Sequence, residues 1–149
     1  MPTKTIFTII SLVFGFAVFV PYYINIFKKT ARPHIFSWIT WSILGSLGFI
    51  LSLSEGGGEG AWIFGLSAFL CIGVTIYGFF NGEKRITRFD WIVFLSALAI
   101  AVFYVFTKNA AFSVILVASI DFLGFLPTFR KSYAKPHNEP ALTYALGAF

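Results

Sequence analysis

Sulfur and charge are both scarce in this chain. Of its 149 residues, one is cysteine, one is methionine and two are histidine. A lone Cys71 cannot close an intramolecular disulfide. His34 and His137 have no thiol or carboxylate cluster beside them, so no metal site is expected. Only 11% of the residues are charged, against roughly 25% in a soluble domain. No Ser-His-Asp, His-Glu-x-x-His or cofactor-loop pattern occurs, so neither an enzyme nor a cofactor is expected. The Gly-Gly-Gly-Glu-Gly stretch at 56–60 follows no strand and lacks the Lys-Ser/Thr ending of a phosphate loop. Segments alternating with a period of two are missing, which argues against a β-barrel.

What the chain has instead is apolar length. Hydrophobic residues make up 58% and mean hydropathy is +0.83. Uncharged runs cover 5–27, 35–54, 61–80 and 91–107, and a fifth run, 109–129, holds only Asp121. A helix needs about 20 apolar residues to cross a bilayer core. An all-α, polytopic membrane protein with five spans is therefore predicted, its principal partner the lipid bilayer. The first run lacks a small-x-small cleavage site and reads as a retained helix. A sixth apolar run begins at Ala141 and reaches Phe149, too short to span. The natural protein is expected to continue for roughly 40 residues at standard span lengths.

The loops carry a charge pattern. Lys28, Lys29 and Arg32 follow the first run, Lys84, Arg85 and Arg88 the third, and Arg130, Lys131 and Lys135 the fifth. The intervening loops hold Glu55 and Glu59, or Lys108 alone. By the positive-inside rule the loops at 28–34, 81–90 and 130–140 are cytoplasmic and the amino terminus is outside. The net charge of +5 is accounted for by these loops, and no nucleic-acid partner is implied.

A repeat runs through this plan. Residues 15–21 read Gly-Phe-Ala-Val-Phe-Val-Pro and residues 121–127 read Asp-Phe-Leu-Gly-Phe-Leu-Pro. An offset of 106 residues brings Pro21 onto Pro127, Ser37 onto Thr143 and Trp38 onto Tyr144. Basic residues and a Pro-His pair follow each proline, Pro33-His34 and Pro136-His137. The first and fifth spans are four apart, so the copies are parallel. The expected organisation is parallel three-helix-bundle repeats joined by a linker helix. The first repeat is 1–80, the loop and linker helix 81–107, and an incomplete second repeat 108–149.

On the repeat, the linker and the proline near the cytoplasmic end of each unit's first helix, the chain resembles the PQ-loop and SWEET-like transporter superfamily. That group includes sugar transporters, lysosomal amino-acid exporters, nicotinamide riboside transporters and the KDEL sorting receptor. The family places Gln after the proline, where this chain has Tyr22 and Thr128. Its sugar-type members carry Trp and Asn on the third helix, where this chain has Trp62 and no Asn. The resemblance implies a small-solute transporter of a bacterial inner membrane, with Pro21 and Pro127 as hinges. The alternative within the same superfamily is a non-transporting sorting receptor or assembly factor.

Asp121 is the one acidic or basic side chain inside an apolar run, and a charge at membrane depth costs about 3 kcal/mol. It lies six residues before Pro127, roughly 9 Å along the helix. It is either a pathway group for a proton, a cation or a small polar solute (a sugar, an amino acid or a vitamin-like molecule) or a protonated side chain binding helices together. Trp38 and Trp41 share a helical face and, with Tyr144, are the candidate stacking residues of the pathway. Interfacial anchoring would also explain both tryptophans, and explains Trp62 and Trp91. Gly45 and Gly48, with Ser42 and Ser46, form a small-residue stripe for close helix packing. A homo-oligomer is left open.

The loop parity gives a direct test. Cysteines replacing Gly57 and Ser132 should react with an impermeant maleimide from opposite faces of the membrane, Gly57 from outside. Labelling of both from one face would contradict the parallel repeat.

Overall fold

Five of the apolar runs fold as long helices in the computed structural model, which describes residues 2–107, 109–135 and 139–147. They are α1 (Pro2–Phe27), α2 (Ile35–Ser54), α3 (Ala61–Asn81), α4 (Arg88–Phe106) and α5 (Ala110–Ala134), followed by the short α6 (Ala141–Gly147). A single 3-10 turn, Gly58–Gly60, precedes α3. The described residues are helices and connections, and all five long helices have the length and hydropathy of membrane spans. His137 and Lys108 lie outside the described residues.

Local chemistry sets the ends. α1 stops in a Schellman motif: Thr30 N–H reaches Asn25 O, Lys29 N–H reaches Ile26 O, and Lys29 takes a left-handed φ of 58°. α4 begins at Arg88, three residues before its uncharged run, because Thr87 and Asp90 form a capping box. α5 continues to Ala134, so Arg130 and Lys131, expected in a loop, are helical. Pro21 and Pro127 sit inside their helices and do not end them. Each withholds an amide hydrogen, leaving the carbonyls of Ala17 and Leu123 without their usual donors.

α3 packs between α1 and α2, while α2 also meets α4 and α5, and α6 lies on α1. The small-residue stripe of α2 faces α3. A Cβ on Gly45 would come 3.1 Å from the Ala68 backbone, and one on Gly48 3.1 Å from the Phe64 ring. Ser42 and Thr75 hydroxyls meet at 3.1 Å across the same seam. Across α1 and α3, the Tyr23 hydroxyl donates to Leu70 O at 2.7 Å, beside Gly73, where a Cβ would meet that hydroxyl.

The outer surface is apolar. Phe7, Phe14, Phe27, Phe69, Phe80, Phe103 and Phe106 are 65–80% exposed. So much bare aromatic surface suits lipid and not water. The three basic connections gather at one end: Glu83 N–H donates to Pro33 O, and Arg130 reaches Arg85 O. Thr5 and Glu59 meet at the other. These are called the basic and acidic ends below.

Candidate functional site

Asp121 stands on one face of α5 with Gly124 and Phe125, three and four residues on. Trp38 and Trp41 stand three apart on α2, and α2 packs on α5. Between them lies a cavity of about 1340 Å3. It starts at the acidic end, where Glu55 and Thr107 cap the last turns of α2 and α4. It runs along the Gly45–Gly48 side of α2, passes Ser113, Val117 and Asp121 of α5, and ends at Trp38, Phe125 and Tyr144. All four candidate pathway residues, Asp121, Trp38, Trp41 and Tyr144, therefore line one space. Pro21 and Pro127 do not line it.

Asp121 is half-buried. The Trp41 indole N–H is directed toward its carboxyl yet buried without a hydrogen bond at bonding distance. Gly124 admits that ring: a Cβ there would lie 2.8 Å from Trp41 Nε1.

Aromatic rings close the inner end of the cavity, and they form a circuit. Trp38 and Trp41 meet edge to face at 5.1 Å, Trp41 and Phe125 at 4.7 Å, and Phe125 and Tyr144 at 6.2 Å. Tyr144 and Tyr22 meet at 6.3 Å, and Tyr22 returns to Trp38 at 4.6 Å. Each such pair contributes roughly 0.5–1.5 kcal/mol beyond burial. Trp38 is 3% exposed, so it belongs to the core and is not an interfacial anchor. Trp62 and Trp91, 56% and 51% exposed, sit near helix ends as anchors do. Phe19 packs on Trp38 at 6.2 Å and 62°, and Phe125 packs on Tyr144 at 6.2 Å and 64°. These two contacts are the same contact displaced by 106 residues.

Beneath the rings lies a polar layer. The Trp38 N–H donates to the Tyr22 hydroxyl at 3.2 Å and the Thr128 hydroxyl to the Ser37 hydroxyl at 2.9 Å. Tyr22 and Thr128 each follow a proline, and both are buried. The Tyr144 hydroxyl donates to Glu139 at 2.9 Å, and Lys131 pairs with the other Glu139 oxygen and with Arg32 O. Burial pushes the Glu139 carboxyl above its ordinary range, against the pull of Lys131. Arg130 binds Asp90 through two nitrogens at 2.9 and 2.8 Å, while the Thr87 N–H and hydroxyl also donate to that carboxylate. Lys135 pairs with Glu83 at 3.0 Å. His34 is fully buried 3.5 Å from Asp90, with no hydrogen bond on either ring nitrogen. Burial, more than the opposing Asp90 charge, pushes its imidazole down to about 4, so it is neutral at pH 7.

Sequence reading did not identify Tyr22, Phe125, Asp90 or Glu139 as site residues. Two signals were present: Thr87-Arg88-Phe89-Asp90 has capping-box spacing, and Phe125 is the offset partner of Phe19. No His, Cys, Asp and Glu cluster able to hold a metal occurs among the described residues. No family model matches the chain, nor does any curated protein or solved structure. The functional reading rests on the chain's own residues.

His34 makes the polar layer sensitive to acid. Its folded value of about 4 lies below the ordinary histidine value of 6.5, so the unfolded chain takes up the proton first. The stability it supports is complete above pH 6.5 and declines as pH falls toward 4, by about 3 kcal/mol in all. Thermal unfolding in detergent should show the wild type losing about 2 kcal/mol more than His34→Gln between pH 7 and pH 5. Parallel curves would contradict this.

Proposed function

We propose that this chain is a small-solute transporter, drawn with its pathway open at the acidic end and shut at the basic end. The observation that carries the reading is the cavity along α2, with an intramembrane acid in its wall and layered closure beneath it. Its volume of about 1340 Å3 exceeds the roughly 300–1,000 Å3 usual for ligand pockets and leaves room for a small molecule. By the positive-inside rule the basic end faces the cytoplasm, so the cavity opens outward.

The parallel-repeat plan is supported from within the molecule. α6 starts at Ala141, 106 residues after α2 starts at Ile35. The α2–α5 and α1–α6 contacts exchange with one another under a two-fold relating the units. The Phe19–Trp38 and Phe125–Tyr144 contacts follow the same offset. The likeness to SWEET-type proteins is part of this proposal.

The hinge role of Pro21 and Pro127 gains a mechanism here. Each proline weakens its helix one residue before a group that bonds to α2, Tyr22 to Trp38 and Thr128 to Ser37. Bending at either proline would draw that group away and open the ring of aromatics. Tyr144 joins the two layers, with its ring on the cavity and its hydroxyl on Glu139. A solute pressing on that ring would loosen the Lys131–Glu139 pair. Alternating access follows if the outer mouth closes as this layer opens.

Reconstitution in proteoliposomes tests the reading. Across a panel of radiolabelled sugars, amino acids, nucleosides and amines, at least one solute should show saturable uptake. Asp121→Asn keeps shape and hydrogen bonding but cannot ionise. It should remain folded, by unchanged thermal unfolding, and lose uptake by about tenfold or lose its pH dependence. Folded protein with no saturable uptake of any member, or uptake indifferent to Asp121→Asn at every pH, would contradict the proposed pathway.

A further inference from the structure

We infer that the cavity selects a small organic cation with an apolar or aromatic body, held beside Asp121. The inference rests on the transporter reading of the same cavity and adds the chemical class of its solute. Charge comes first. The charged side chains lining the cavity are Asp121 and Glu55, both carboxylates. Among the described residues, no lysine, arginine or histidine lines it. Beyond the aromatic circuit, Arg130, Lys131 and Lys135 are already engaged, by Asp90, Glu139 and Glu83. An anion entering this space would meet two acids and, among the described residues, no lining cation. A cation would meet an acid without a cationic partner among the described residues.

The walls then narrow the class. Asp121 is one helical turn from Phe125, and the Trp41 ring lies against Gly124 on the same face. The carboxylate and the aromatic rings of Trp41 and Phe125 thus lie at one depth. Aromatic faces attract ammonium groups through the ring quadrupole, more strongly where water is excluded. The other polar lining groups are mainly hydroxyls spread along the cavity, Ser52, Ser67, Ser113 and Thr143 among them, and no side-chain amide. A polyhydroxylated solute needs convergent donors and acceptors, and this lining does not gather them. Glu55 at the mouth would draw cations inward before they reach Asp121.

The test is binding by the full chain in lipid nanodiscs, read by calorimetry. Choline and benzyltrimethylammonium are the cationic probes. 3,3-Dimethylbutan-1-ol, the neutral carbon isostere of choline, and 3,3-dimethylbutyrate, an anion of similar shape, are the controls. The cations should bind at least about tenfold more tightly than the neutral isostere, with the anion weakest. Asp121→Asn should abolish that preference while thermal unfolding stays unchanged, and Glu55→Gln should slow association without abolishing it. Equal binding of the three charge types, or a preference that survives Asp121→Asn, overturns the inference. Cation preference without uptake of any cation into proteoliposomes upholds the site and overturns the transporter reading. Saturable uptake of a neutral solute with no cation preference does the reverse.

Discussion

Charge in a bilayer is stable where it is paired, and three of this chain's acids are paired in one layer. Asp90 takes Arg130, Glu139 takes Lys131 and Glu83 takes Lys135. These three pairs join the connection before α4, the end of α5 and the segment before α6. Arg32 O, also bound by Lys131, brings in the connection between α1 and α2. Lys131 and Glu139 are both buried, and breaking such a pair leaves an uncompensated charge and costs roughly 3–5 kcal/mol. The layer is therefore hard to open by halves, which is a property a gate needs. It also explains why Asp121 stands apart. The interior cations have partners at the basic end, and this acid faces a cavity.

The aromatic circuit depends on that layer. Its five rings come from α1, α2, α5 and α6, and they lie next to the paired charges. Tyr22 and Thr128 occupy the positions after the two prolines, and both reach α2. A helix weakened at its proline is thus fastened immediately beyond it. Fold and proposed mechanism share one arrangement: two fastened hinges, a ring of aromatics above them and ion pairs below.

Much of the fold was legible because lipid imposes a blunt rule. A span must be long, apolar and nearly free of charge, so the four uncharged runs and the one holding Asp121 matched five helices. Their ends were less legible. α4 starts early because Thr87 and Asp90 cap it, and α5 runs late with Arg130 paired to the sequence-distant Asp90 and Lys131 to Glu139. Asp121 was legible as the lone ionisable group within a run. Trp38 was ambiguous, since anchoring and pathway roles use the same residue; its burial decides against anchoring. Phe125 acquires meaning from Trp41, far along the chain, and Glu139 from Lys131 and Tyr144, whose side chains only the fold brings onto it.

The central claim is that one continuous cavity reaches past Asp121 from the acidic end and stops at the aromatic circuit. Cysteine accessibility measures this directly in oriented vesicles, using a Cys71→Ser background and an impermeant thiol reagent. Val117→Cys, one turn above Asp121 in the cavity wall, should react from the acidic side and be protected from the basic side. Thr128→Cys, beneath the circuit, should react from neither. Modification of Val117→Cys from the basic side, or of Thr128→Cys from the acidic side, would show that the circuit does not close the cavity and would contradict the account.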